Sequence, residues 1–377
     1  MEIYLDNSAT TKPCKAAVDK IMYVSENVYG NPSSLHKPGI EAEKEVTAAR
    51  KAVAEILGAD HNEIIFTSGG TEANNTAVFG AALARQKTGS RIVTTAVEHS
   101  SVYESCLELK NRGFDVVFLE PQSDGNISEE QLCSAIDRNT ILVSVMMVNN
   151  ETGVRLPVDR IAKIIKKNNA PALFHCDAVQ AFGKIPVRPS KIGADLVSVS
   201  SHKIHGPKGA GALYIKKGTY IKPLLYGGEQ QRKIRPGTEA VPLICGFGAA
   251  AENIGSMSEN MNRIKELRDY TVDRLSSIDC VEINSPLDAL PYILNISAVG
   301  VRSETMLHFL EGNGIYVSSG SACAKGKKSH VLTAMGLDSS RIDSALRISF
   351  SKYSRKSEID ALAECLREGI DTLVHSK

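Results

Sequence analysis

Within one short run, Ile64-Ile65-Phe66-Thr67-Ser68-Gly69-Gly70-Thr71-Glu72, an apolar strand turns through two glycines into a helix. An alanine-rich stretch of helical character then continues to about Gln86. The same rhythm repeats down the chain. Residues 91–97 read as strand, 100–112 as helix, 115–119 as strand and 128–137 as helix. Residues 141–148, 158–167, 172–177 and 196–200 continue the alternation. The strands are apolar almost throughout, which predicts an α/β fold: a mainly parallel sheet with helices on both faces.

After about Ile244 the texture changes. Residues 249–275 read as one long charged helix, followed by short strands near 292–297 and 347–350. The expected organisation is a large α/β domain over 13–248 and a smaller α+β domain over 249–377, with residues 1–12 packing on the body. No internal repeat or low-complexity linker interrupts it.

Composition narrows the function. Across 377 residues, 44 Lys and Arg face 43 Asp and Glu, a net charge of +1. Such balance argues against a chain whose main work is gripping nucleic acid or an acidic membrane. An apolar content of 42% supports a sizeable core and excludes general disorder. The start, MEIYLDNSAT, has neither a basic nor an apolar leader region, and the run ILVSVMMV is far short of the ~20 residues that span a bilayer. Eight scattered cysteines without a CxxC pair argue against both a disulfide scaffold and a structural zinc site. A cytoplasmic protein with reduced thiols is expected.

In parallel sheets ligands gather at the carboxyl ends of the strands. Four turns there carry unusual polar residues. The Gly-rich opening at Gly70 and Thr71 suits a phosphate at a helix N-terminus. His99 follows a second strand, Asp177 ends a third, and Lys203 follows a fourth within Ser200-Ser201-His202-Lys203. Each alone reads as a helix cap or a surface group. Together, a phosphate cradle, a flat imidazole, a buried carboxylate and a lysine are what pyridoxal 5′-phosphate requires. The lysine amine binds its aldehyde, and the carboxylate keeps its ring nitrogen protonated.

From Tyr4-Leu5-Asp6-Asn7-Ser8-Ala9-Thr10-Thr11 through Asn149-Asn150-Glu151-Thr152-Gly153 and Ser201-His202-Lys203 to Ser318-Ser319-Gly320-Ser321-Ala322-Cys323, the chain resembles the NifS/IscS cysteine desulfurases. These belong to the class V aminotransferase family and have the type I pyridoxal-phosphate fold. The resemblance implies conversion of L-cysteine to L-alanine, with the sulfur passing to Cys323 as a persulfide. It implies that Lys203 carries the cofactor, His99 stacks on its ring, Asp177 pairs with the ring nitrogen and Gln180 donates to the 3-oxygen. Gly70, Thr71, Ser200 and His202 match phosphate binders, and Ser201 and Asn150 are further expected cofactor contacts. Thr238 matches one supplied by a second subunit, hence a homodimer with shared active sites. Asn150 and Arg347 resemble the groups that hold the substrate carboxylate, a task suited to the planar guanidinium fork. Lys203, His99 and Cys323 are the expected catalytic groups.

Cys323 narrows the reaction. It lies in a small-residue loop followed by Lys325, Lys327 and Lys328, a positive setting that favours the thiolate. No resident metal is expected, although Cys323 is able to ligate a transient iron–sulfur cluster. The acceptor is a protein of iron–sulfur assembly, tRNA thiolation or another sulfur pathway. A selenocysteine lyase or a class V aminotransferase would use the same cofactor site; transamination leaves Cys323 without work. Gly326-Lys327-Lys328-Ser329 is not a nucleotide loop, because Ser321 stands where GxxxxGK[ST] requires glycine.

Overall fold

Side-chain alternation along the strands explains the layering of the computed structural model, which describes residues 2–319 and 328–373. The strands are β1 (Ile3–Tyr4), β2 (Ile64–Thr67), β3 (Arg91–Thr95), β4 (Asp115–Leu119), β5 (Thr140–Met146) and β6 (Leu173–Asp177). They continue as β7 (Leu196–Ser200), β8 (Gly211–Ile215), β9 (Val281–Ile283), β10 (Ile293–Ala298), β11 (Ile315–Tyr316) and β12 (Ala345–Ser349). Ile65, Ile92, Leu142, Leu173, Leu196 and Leu213 bury into one core, beneath the helices Gly70–Arg85 and Ser100–Asn111. Their neighbours Phe66, Val93, Val143, Phe174, Val197 and Ala212 bury into a second core on the other face. Each such side chain gains about 1.5–3 kcal/mol from burial, so the sheet needs a helical layer on both sides.

The large sheet has seven strands in the order β2-β8-β7-β6-β5-β3-β4. β3 through β7 pair in parallel, and β8 is antiparallel to both β7 and β2. β8 therefore runs against the other six, whose carboxyl ends share one edge. A second, antiparallel sheet has the order β12-β10-β9. β1 pairs in parallel with β11, and Asp6 bridges to Ser349 at the end of β12, so the first residues join the C-terminal elements.

The structure corrects some boundaries. The long helix expected over 249–275 is two helices, Val241–Glu252 and Met257–Ser276, separated where Gly255 takes a φ of 75°. Ser256 caps the second by accepting from Glu259 N–H, a local start signal that the charge pattern hid. The strand expected over 91–97 ends at Thr95, because residues 96–99 turn toward the carboxyl edge.

One turn is strained. Gln231, Arg232 and Lys233 take left-handed φ values of 43°, 55° and 63° in succession, a conformation that disfavours side chains bearing Cβ. Buried Gln231 pins it: its Oε1 accepts from Phe66 N–H at 2.8 Å, and its Nε2 donates to Glu239. The side chain of exposed Lys233 makes a surface ion pair with Glu229. Lys233→Gly is expected to relieve the strain and raise Tm by about 1–2 °C. A lower Tm in a melting experiment would show that the turn stores no strain at this position.

Candidate active site

The carboxyl edge of the large sheet opens into a cleft of about 680 Å³, within the range of small-ligand sites. Gly70, Thr71, His99, Asn150, Asp177, Gln180, Ser200, His202, Lys203 and Arg347 all line it. Ser201 does not; it is buried beside Gly206, where an added Cβ would meet its Oγ. Thr238 is exposed and lies outside this chain's own cleft. Cys323 lies outside the described residues.

At one end the helix Gly70–Arg85 points its N-terminus into the cleft, and its first N–H groups have no intrahelical acceptors. A Cβ on Gly70 would come within 2.9 Å of Val179 Cγ2, so glycine lets this helix start pack close against the turn after β6. Beside it, Ser200 Oγ is buried with no hydrogen-bond partner among the described residues. A polar atom left so is costly unless a ligand meets it, and the set fits a phosphate group. His202, held 3.2 Å from Thr10 Oγ1, is pushed down to about 4 by burial and by Lys203, so its imidazole is neutral.

Across the cleft, Asp177 ends β6. Its Oδ2 accepts from Asn74 Nδ2 at 2.7 Å and its Oδ1 from Val179 N–H at 2.9 Å. Those bonds hold a buried carboxyl group in place at the cleft wall. His99 caps the helix Ser100–Asn111: its Nδ1 accepts from Ser101 N–H at 3.1 Å and lies 2.8 Å from Ser101 Oγ. Burial lowers its pKa, which favours the neutral ring, and an accepting Nδ1 leaves the proton on Nε2.

Lys203 Nζ donates to Ser8 O at 2.5 Å and to Ala9 O at 2.8 Å. Gln180 Nε2 donates to the same Ser8 oxygen at 2.8 Å, so two side chains converge on one N-terminal carbonyl. Arg347, on β12 and almost wholly buried, reaches Asp6 Oδ1 at 3.0 Å and Asn150 O at 3.1 Å. Its Nε has no partner among the described residues, which leaves a cationic group at the cleft with donor capacity for a carboxylate.

Several residues of the site carry no signal that a strand-end search detects. Asp6 and the Ser8 and Ala9 carbonyls sit 341 and about 195 positions from their partners; only the fold shows the pairing. Asn74 reads as an interior helix residue until its contact with Asp177 is seen. Glu151 is buried and raised by burial, and Ser329 Oγ donates to it. Glu98 is enclosed completely; its Oε1 accepts from Thr95 Oγ1 at 2.8 Å and from Met146 N–H at 3.0 Å, and its main-chain oxygen accepts from His330 Nε2 at 3.0 Å.

Residues 3–362 match the model of a family described as aminotransferase class-V. The cysteine desulfurase IscS of Methanosarcina thermophila is 41% identical over 98% of this chain and 92% of its own length. The chain belongs to the class-V aminotransferase family, among the NifS/IscS cysteine desulfurases. A solved NifS-like protein superposes with a TM-score of 0.94 at 39% identity, covering 99% of this chain and all of the other. SspA, solved in complex with cysteine, superposes with a TM-score of 0.83 at 32% identity over 94% of this chain and its whole length. The superposition on the NifS-like protein spans both the mainly parallel large sheet and the smaller antiparallel sheet toward the C-terminus. Among the described residues no helix is long and apolar enough to cross a membrane, and no group of three or more His, Cys, Asp or Glu side chains gathers to hold a metal.

Glu98 makes stability depend on pH. Burial, with Asp177 nearby, raises its pKa from 4.5 to about 8. The folded state therefore keeps a proton that the unfolded chain loses above 4.5. Stability from this group is complete below that pH and is lost as pH rises through about 8. Tm is expected to fall between pH 5 and 9, by an amount equivalent to a few kcal/mol, and Glu98→Gln is expected to flatten that fall. A wild-type slope left intact by the substitution would reject the assignment.

Proposed function

We propose that this chain is a pyridoxal-phosphate-dependent cysteine desulfurase that moves sulfur from L-cysteine to Cys323. The observation that carries the reading is the convergence in one cleft of a helix-end cradle with an unpartnered Ser200 Oγ, Asp177, His99 and Lys203. These residues fit the cofactor: Gly70, Thr71, Ser200 and His202 at its phosphate, Asp177 at the ring nitrogen, His99 on the ring face and Gln180 at the 3-oxygen. Ser201 backs this wall. When bound, pyridoxal 5′-phosphate supplies an electron sink for charge developing at the substrate Cα.

The chain's own groups do the rest. Arg347 and Asn150 hold the substrate carboxylate, with Asp6 aligning the guanidinium. Lys203 would hold the cofactor's aldehyde, and its Nζ is the base placed to take the substrate Cα proton. The neutral His99 presents Nε2 for proton exchange with the substrate thiol. In the net step the substrate C–S bond breaks and an S–S bond to Cys323 Sγ forms. Cysteine plus thiol becomes alanine plus persulfide, and the hydrogen count balances. The flanks of the Cys323 segment support its part in this. Ser318 pairs with Arg347 through two backbone hydrogen bonds, and Lys328 and His330 line the cleft. Lys328 lies five positions after Cys323, a covalent reach of up to ~18 Å.

The same reading makes the enzyme a homodimer. Tyr29, Leu35 and Tyr226 are 80%, 95% and 84% exposed, more large apolar surface than a solitary chain favours. A partner covering these segments would receive Thr238. The persulfide then passes to a sulfur-acceptor protein in the cytoplasm, serving iron–sulfur assembly or tRNA thiolation.

The deciding assay measures alanine and sulfide released from L-cysteine with a thiol reductant. Wild type is expected to make both; Cys323→Ala, still yellow with cofactor, should make neither, and Lys203→Ala should lose activity by at least about a thousandfold. Equal activity in Cys323→Ala would reject the persulfide route. Arg347→Lys, which removes the bidentate fork, should raise KM for cysteine by about tenfold or more with a smaller change in kcat. An unchanged KM would move the carboxylate site elsewhere.

A further inference from the structure

Behind the cleft lies a second lysine that the reaction does not use. Lys184 is 8% exposed, and no carboxylate among the described residues comes within ion-pairing distance of it. A lysine is rarely buried without such a partner. Its Nζ donates to Gln180 Oε1 at 2.9 Å. Gln180 Nε2 donates onward to Ser8 O, which also accepts from Lys203 Nζ. A continuous chain of hydrogen bonds thus joins the two lysines through one side-chain amide and one carbonyl. Lys184 and Lys203 also line a small shared cavity of about 40 Å³.

The two ends of a glutamine amide are nearly alike in shape and opposite in hydrogen-bonding sense, so the partners decide which way it points. We propose that Lys184 is a positioning residue for the reaction: by donating to Gln180 Oε1 it fixes the amide so that the N–H end faces Ser8 and the cleft. Without that donor only the Ser8 carbonyl holds the amide, and a turned amide would set Oε1 against that carbonyl and remove a donor from the cofactor's 3-oxygen. Burial, with Lys203 and Arg347 nearby, lowers Lys184 to about 7. The role survives its titration, because an amine and an ammonium both carry N–H donors. Lys184 Nζ also lies 5.7 Å from the centre of the Tyr292 ring, a contact that by itself would make the residue merely structural.

This inference rests on the cofactor reading given above, and its test separates the two. Pyridoxal 5′-phosphate is titrated into cofactor-free wild type, Lys184→Met, Lys184→Gln, Gln180→Met and the Lys184→Met/Gln180→Met double variant, each checked for fold by circular dichroism. Lys184→Met is expected to bind about tenfold more weakly and to shift upward the pH at which the bound cofactor's visible band changes. Lys184→Gln, which keeps an N–H donor without the charge, should stay within about twofold of wild type. The double variant should bind no more weakly than Gln180→Met alone, since both changes remove one arrangement.

Losses that multiply in the double variant, or a Lys184→Met protein that binds and titrates like wild type while Gln180→Met is impaired, would overturn the role of Lys184. If Lys184→Met fails to fold, a folded Lys184→Gln that binds tenfold more weakly would overturn it as well. If Gln180→Met binds as wild type does, Gln180 is not the donor and the inference falls with it. Failure of wild type itself to bind the cofactor would instead reject the cofactor reading.

Discussion

The site hangs on the first strand-and-turn of the chain. Residues 3–11 pair with β11 and with Ser349, and then run across the mouth of the large sheet. Asp6 meets Arg347 on the small sheet; Ser8 and Ala9 meet Lys203 on the large one; Thr10 and Thr11 meet His202. Both sheets are thereby tied to the same few carbonyls and side chains. Without this strap the buried Arg347 would lose its ion-pair partner Asp6, keeping Asn150 O, and Lys203 would lose the Ser8 and Ala9 carbonyls.

The large sheet does the complementary work. With β8 alone reversed, six strands deliver their ends to one edge, and the polar residues that end them meet there. Asp177, Ser200 and Lys203 come from neighbouring strands whose register fixes their spacing. Behind them a second layer of polar groups sets orientation. Asn74 holds Asp177, Ser101 holds His99, and Glu98 braces the end of β5. Catalytic precision of this kind depends as much on the supporting layer as on the groups that touch substrate.

Many of the residues that line the cleft were legible in the sequence, because strand ends followed by Gly, Asp or Lys advertise themselves locally. Alternating apolar runs likewise predicted the sheet and its two helical layers. What escaped was non-local or masked by composition. The break at Asn253–Ser256 lay inside a stretch read as one long helix, and its Ser256 cap was visible only as one serine among several. Asp6 and Asn74 take their meaning from partners brought close by the fold. Ser201 sat in the right motif, yet the short helical turn at Ser201–Lys203 aims it into the protein body beside Gly206. Neighbours in a motif need not face the same cavity.

The strap also orders events in the life of the chain. Asp6 and Asn7 find their partners 341 and 342 positions later, in the strand made of residues 345–349. During synthesis every strand of the large sheet is made before those partners exist. A nascent chain with that sheet already formed would hold the cradle at Gly70 and the lysine at 203, while residues 3–7 still waited for their partners on β11 and β12. Pairings of such long separation form late. The residues translated first are therefore among the last to be placed, and an incomplete chain cannot assemble a finished site.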